Sequence, residues 1–280
     1  MGEFEVQSNF TENDLSIAIY QSILKARQER EIRCWHASSL AMCPRAQFFA
    51  RKGVKPLQEI TAAKELRFKV GDKVEDVIRP YIKEQFSQAI SNVRFFNKTL
   101  DLSGEIDNYD PATKTIIEVK SVHPAAVRYR RVDETRNHLR SDRHYTHHEY
   151  QQRVYKLLME HPDTEIKGED GKYRPLEAPL EVEGVVYLYI SLAGLLVPYL
   201  QKMTPSPIDD DIKKRLAILN LAMTHDTPPD CLCQMDGDLY NGSMQYCPYR
   251  TSKPDKNNHD PNCCSLSLLK NLTIEGGKNA

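Results

Sequence analysis

The sequence predicts an α/β fold. Three observations carry that expectation. A long amphipathic helical stretch runs over 61–90. A hairpin signature follows at GEIDNYDPATKTIIEVK, 104–120. A buried-strand signature, VVYLYISL at 185–192, lies between two further helical segments. At 280 residues the chain can bury a substantial core, as one large domain or two small ones.

Each element has its own warrant. TENDLSIAIYQSILKARQER, 11–30, opens on Thr11 and Asp14, a weak capping box, and continues at helical spacing. HASSLAMCPRAQFFARKG, 36–53, predicts a second helix from Ser38 or Ser39, closed by Gly53. In 61–90, Leu66, Val70, Val74, Val77, Ile78 and Tyr81 form one apolar stripe, and Pro80 is the place for a bend. VRFFN, 93–97, reads as a strand. In the hairpin, Asp110-Pro111 is the turn. YTHHEYQQRVYKLLME, 145–160, returns to helical spacing. The charged stretch 161–184, with its Pro and Gly, reads as a loop excursion. VVYLYISL turns into a further apolar segment, and IDDDIKKRLAILNLAMTHD, 208–226, is a helix with acids at its start. From Thr227 onward Pro, Gly, Asn and Asp dominate, and the tail KNLTIEGGKNA is expected to fray.

Composition excludes several functions. The net charge is −1, so no global field draws in nucleic acid and any basic surface must be local. The longest uncharged run, 184–200, is shorter than the roughly 20 residues of a bilayer span and holds Gly194, Pro198 and three tyrosines. No membrane association is expected. MGEFEVQSNF is polar and acidic, unlike a signal peptide, which points to a reducing, cytoplasmic compartment. There the seven cysteines favour metal ligation over disulfides.

The hairpin holds the strongest chemical signal. Residues two apart on a strand share a face, so Glu118 and Lys120 point one way while Ile117 and Val119 point into the core. The turn brings Asp107 back beside Glu118. Two carboxylates so close repel unless a cation sits between them, and hard divalent ions such as Mg²⁺ suit an all-oxygen site. A lysine there orients water or offsets phosphate charge, which suits phosphodiester hydrolysis. A surface hairpin with solvated charges gives the same pattern. On the helical wheel, at about 100° per residue, Glu75 lies at the edge of the apolar stripe beside Ile78 and Ile82, whereas Asp72 and Asp76 point away. Gln151 and Tyr155 share a helix side with Leu158, and Gln152 is expected to face outward.

The cysteines are Cys34, Cys43 and a C-terminal group of five. Adjacent cysteines seldom serve one metal together. Four places then remain: Cys43, Cys231 or Cys233, Cys247, and Cys263 or Cys264, with His259 as a substitute. Four thiolates suit a [4Fe–4S] cluster or tetrahedral zinc, and the absence of ordinary CxxC pairs disfavours zinc.

Taken together, SSLAMCPRAQFF, GEID, EVK, QQRVY and CPYR at 247 resemble, in order, the motifs of the RecB-like PD-(D/E)xK nucleases, in particular the four-cysteine iron–sulfur branch of CRISPR-adaptation and phage exonucleases. The likeness runs from about residue 38 to residue 264. It implies a restriction-endonuclease-like core, a mixed central sheet flanked by helices, with a cysteine-rich cluster subdomain joining the two ends of the chain. The implied boundaries are N-terminal helices over 1–60, nuclease core over 61–226, cluster segment over 227–270 and tail over 271–280.

The same resemblance implies that Asp107, Glu118 and the Val119 carbonyl ligate Mg²⁺ or Mn²⁺. Lys120 would position the attacking water, and Gln151 and Tyr155 would hold DNA or the site. A [4Fe–4S] cluster would sit on Cys43, Cys233, Cys247 and Cys263, with Cys231 and Cys264 as alternates and zinc as the alternative metal. Glu75 stands where the family often has His and is a further candidate ligand. The expected activity is that of a metal-dependent deoxyribonuclease, an exonuclease on single-stranded or frayed ends. A catalytically weak or inactive DNA-end-binding adaptor is the alternative. A homo-oligomer, a recombination, repair or CRISPR-adaptation partner, and a bacterial, archaeal or phage source all accord with the resemblance. Between the ExK strand and the Gln/Tyr helix, Arg128, Tyr129, Arg130 and Arg131 interleave charge with an aromatic ring, a pattern suited to phosphates and stacked bases. His144, His147 and His148 are read as solvated or phosphate-facing rather than metal ligands.

Overall fold

The computed structural model describes residues 12–26, 31–56, 60–122, 127–128, 138–139, 143–191 and 196–229. Ten strands follow in chain order: β1 (Trp35–His36), β2 (Ile90–Asn97), β3 (Leu102–Asp110), β4 (Thr115–Val122), β5 (Val127–Arg128), β6 (His138–Leu139), β7 (Thr164–Lys167), β8 (Tyr173–Pro175), β9 (Gly184–Ser191) and β10 (Leu196–Lys202). Five helices accompany them: α1 (Glu12–Lys25), α2 (Pro44–Arg51), α3 (Ala62–Gln85), α4 (Arg143–Glu160) and α5 (Pro207–His225). Eight strands form one mixed sheet in the order β10-β9-β4-β3-β2-β7-β8, with β1 paired to β3; β5 and β6 pair separately. β4 runs parallel to β9 and β1 to β3, and the other ladders are antiparallel.

Helices flank this sheet on both faces. On one, Tyr150, Val154 and Leu158 of α4 and Ile212, Leu216 and Leu219 of α5 bury against Ile106, Ile116, Tyr187 and Tyr189. On the other, Val74, Ile78 and Ile82 of α3 cover Ile117 and Val119. The alternation along β4 therefore divides its side chains between two helical layers.

The N-terminal segment is fastened to α5. Arg215, buried in α5, donates to the carbonyls of Leu40 and Met42 at 3.2 and 3.0 Å. Trp35 Nε1 donates to Asn220 Oδ1 at 2.6 Å. Ser206 and Asp209 close a capping box at the start of α5, where Asp209 and Asp210 also complement the helix dipole.

Several expectations are corrected. The second helix begins at Pro44, not at Ser38 or Ser39, because Pro at the first turn fixes the start; a short 3-10 turn occupies Ala37–Ser39. Gly53, with φ of 69°, does end it. The third helix stops at Gln85 rather than Ile90, which opens β2. Only part of its apolar stripe reaches the sheet: Leu66, Val77 and Tyr81 are exposed. Leu66 and Val77 border a groove of about 460 Å³ between α3 and Ile190. The stretch 161–184 is not merely a loop. Its β7 and β8 form a hairpin that extends the sheet beyond β2, since TEIK and YRP can pair as an edge where charged residues stay solvated. No helix among the described residues is long and apolar enough to cross a membrane.

Gly104 on β3 admits α4 closely. A Cβ there would sit 2.8 Å from Tyr155 Cε1 and 3.0 Å from Leu158 Cδ1. Gly104→Ala is expected to push α4 off the sheet and lower unfolding free energy by about 1–3 kcal/mol, the cost of overpacking. Denaturant melts of the two proteins check this.

Candidate active site

The sheet opens where β3 and β4 part. Their ladder covers only Asp110↔Thr115, Tyr109↔Ile116 and Asn108↔Ile117. Further along, the same edge of β3 is taken by β1, at Leu102 and Ser103. Between these two pairings Asp107 substitutes for a strand partner: its Oδ2 accepts the backbone N–H of Val119 at 2.9 Å. In a strand the N–H and C=O of one residue point to the same edge. The Val119 carbonyl is therefore directed into this gap as well.

Glu118 and Lys120 stand on the α4 face of β4, paired in register with Tyr187 and Tyr189 of β9. Glu118 is 1% exposed, far more buried than a solvated hairpin charge. Its Oε1 accepts an ion-paired hydrogen bond from Lys120 Nζ. Its Oε2 is buried without a hydrogen-bond partner among the described residues. Lys120 Nζ also donates to Gln151 Oε1 at 3.4 Å, and Gln151 Nε2 donates to Tyr155 OH at 2.7 Å. A polar chain thus runs from Glu118 through Lys120 and Gln151 to Tyr155, supported on one strand and one helix.

The electrostatics match this crowding. Burial raises the Asp107 carboxyl well above the usual range, and the charge of Glu118 adds to it; Lys120 and the Val119 N–H pull the other way. Burial lowers Lys120, but Glu118 and Asp107 outweigh it and hold the ammonium above its ordinary value. Tyr155 is raised by burial and then by Glu118, so it stays a neutral hydroxyl.

The structure brings Asp107, Glu118, Lys120, Gln151 and Tyr155 into one corner. Glu75 lies close enough for its charge to raise both Asp107 and Lys120. Its carboxylate, however, is held by Arg79 at 2.6 Å. Among the described residues no three His, Cys, Asp or Glu side chains gather into a group that could hold a metal ion. The donor set nonetheless fits a hard divalent cation: two carboxylates, one with an orphaned buried oxygen, and a backbone carbonyl at the strand gap.

One sequence expectation fails here. Gln152 does not face outward; it is fully buried and both side-chain polar atoms lack hydrogen-bond partners among the described residues. It shares its side of α4 with His148, which packs on Tyr187 and Tyr189, and with Tyr155, which meets Gly104. His148 is half-buried: its Nδ1 lies 2.9 Å from Tyr189 OH, and its ring packs near Tyr187 and Tyr189. Cys43 is buried at the N-cap of α2. Cys231, Cys233, Cys247, Cys263 and Cys264 lie outside the described residues, as do Tyr129, Arg130 and Arg131 and the side chain of Arg128. Sequence reasoning missed Arg79, although its spacing of four from Glu75 is the signal for a helical ion pair. It also missed Tyr187 and Tyr189, whose place beside Glu118 and Lys120 depends on a parallel register that no local pattern encodes.

No family model matches this chain, and no curated protein matches it. A solved structure, the crystal structure of SSO0001, is similar over 84% of this chain and 94% of that one, at 14% identity and a TM-score of 0.48. At that distance the likeness says nothing about function.

The raised Asp107 carboxyl gives a stability test. A raised folded value means the native state keeps its proton after the unfolded chain has released it. The metal-free protein therefore loses stability as pH rises from the ordinary Asp value, near about 4, through the raised one. With EDTA present, Asp107→Asn is expected to be more stable than wild type at neutral pH, and the difference is expected to vanish below about pH 4. Denaturation midpoints across pH measure it.

Proposed function

We propose that the chain is a metal-dependent DNA nuclease, an exonuclease acting on single-stranded or frayed ends. The observation that carries this reading is the corner itself: Asp107 and Glu118 within one another's fields, with Lys120 bridging Glu118 to the Gln151–Tyr155 pair. Lone ion pairs on a surface hairpin do not leave a carboxylate oxygen buried and orphaned, as Glu118 Oε2 is.

A divalent ion such as Mg²⁺ or Mn²⁺ would be held by Asp107, Glu118 and the Val119 carbonyl, and would supply charge stabilisation at the phosphate and activation of water. The chain's own groups do the rest. In the ion-free protein Glu118 and Asp107 hold Lys120 protonated, and it donates to Glu118 and Gln151. It orients the attacking water and offsets negative charge as the new P–O bond forms and the bridging P–O bond breaks. Gln151, bonded to both Lys120 and Tyr155, holds the ammonium at the corner. Phosphate contacts are assigned to Arg128, Arg130 and Arg131, with Tyr129 stacking on a base.

For the cysteines we propose a [4Fe–4S] cluster on Cys43, Cys233, Cys247 and Cys263, with zinc as the alternative metal. One contact supports it. Arg45 Nε donates to the Pro229 carbonyl at 2.6 Å, so the chain leaves for its C-terminal cysteines from beside the helix that Cys43 caps. A thiolate at a helix N-terminus is also favoured by the dipole.

A second reading is a DNA-end-binding adaptor with little or no catalysis. The engagement of Glu75 by Arg79, which leaves the corner without a third gathered carboxylate, favours it.

Digestion of end-labelled single and double strands with Mg²⁺ or Mn²⁺ separates the two. Asp107→Ala and Lys120→Ala are each expected to lower cleavage by at least about a hundredfold, with circular dichroism unchanged. Wild-type cleavage by either purified variant removes the nuclease assignment. Tight binding with intact DNA in Mn²⁺ selects the adaptor. Anaerobically purified protein is expected to be brown with broad visible absorbance, and Cys43→Ser to lose iron. Colourless protein with stoichiometric zinc overturns the cluster.

A further inference from the structure

Glu75 belongs electrostatically to the corner but is tied elsewhere. α3 passes along β4, with Gly71 nearest Ser121 and with Val74, Ile78 and Ile82 over Ile117 and Val119. Glu75, one turn after Gly71, adjoins Val74, which packs over Ile117 and Val119, and its charge reaches Asp107 and Lys120. One turn further on, Arg79 donates to Glu75 Oε1 at 2.6 Å and, through its other terminal nitrogen, to Asp76 Oδ1 at 3.2 Å. Both Glu75 and Arg79 are 24% exposed, so their attraction is screened less than that of a fully solvated pair. The Nε of Arg79 is buried without a hydrogen-bond partner among the described residues. The guanidinium is thus committed to this position at the cost of one donor, which a freely solvated arginine would not lose.

We infer that Arg79 is a positioning residue that competes with the divalent cation for Glu75. It holds the Glu75 carboxylate on the helix until the ion arrives, and so lowers the affinity of the corner for that ion. The inference rests on the reading of Asp107 and Glu118 as the ion's first ligands. Once they hold the ion, Glu75 adds a third carboxylate only by leaving Arg79. Asp76 makes the exchange feasible. It keeps Arg79 paired after Glu75 departs, so no cation is stranded. In the free protein each acid has its own counter-group. Lys120 meets Glu118, Arg79 meets Glu75, and Asp107 accepts the Val119 N–H.

The test is Mn²⁺ binding without DNA, followed by calorimetry and by the paramagnetic resonance signal of free Mn²⁺. It uses wild type, Arg79→Gln, Arg79→Lys, Glu75→Gln, the Glu75→Gln/Arg79→Gln double variant and Asp107→Asn. Arg79→Gln is expected to tighten Mn²⁺ binding by roughly threefold to tenfold, the scale of a partly shielded ion pair. Arg79→Lys, which can still pair with Glu75, is expected to stay near wild type. In the Glu75→Gln background the Arg79→Gln change is expected to have no effect. An unchanged or weakened affinity for Arg79→Gln overturns the proposal. So does equal tightening in both backgrounds, which would mean simple removal of a repulsive charge. An affinity for Asp107→Asn equal to wild type would instead overturn the ion site itself, a distinct outcome.

Discussion

The parting of β3 from β4 is the constraint on which the site depends. A strand edge without a partner must satisfy its N–H and C=O groups in some other way. Here a carboxylate does so: Asp107 takes the Val119 N–H that a continuous ladder would have used. That single substitution places one acid at the mouth of the gap, turns a backbone carbonyl toward it, and leaves Glu118 and Lys120 on the adjacent face. β1 secures the gap from the other side by occupying the edge of β3 at Leu102 and Ser103, so β4 cannot zip further.

Burying this much charge is expensive, and the fold answers with internal counter-ions. Lys120 neutralises Glu118 and Arg79 neutralises Glu75. Asp107 is left with one backbone donor, and its affinity for a proton rises. Each internal pair gives up part of its attraction to desolvation. The two flanking layers sustain the corner. α3 covers Ile117 and Val119 on one side of β4, while α4 brings Gln151 and Tyr155 to the other through the space Gly104 leaves.

The ends of the described chain converge at a second locus. Arg215 ties α5 to the carbonyls of Leu40 and Met42, and Arg45 ties α2 to Pro229. Cys43 lies between these fastenings, packed with Phe48, Phe49 and Ala222. The core is therefore closed across the N-terminal segment and α5 by side chains that reach backbone carbonyls, which holds them in fixed register with the sheet.

What the sequence by itself determined was local. Period-two alternation and the Asp110-Pro111 turn placed β3 and β4, helical spacing placed α4 and α5, and the hairpin put Asp107 opposite Glu118 and Lys120. The spacing of Gln151 and Tyr155 put them on one helix side, because i and i+4 are neighbours on any helix. The tertiary structure decided whatever depends on which surfaces meet. Gln152 is buried because it shares a helix side with His148 and Tyr155, which pack on the sheet. Leu66, Val77 and Tyr81 stay exposed because α3 touches the sheet along one narrow ridge. TEIK and YRP became edge strands because β2 had a free side. Tyr187 and Tyr189 came to flank the site through the parallel pairing of β4 with β9, whose partners are about 70 residues apart in the chain. Local periodicity reports which way a side chain points from its own element; only packing reports what it meets there.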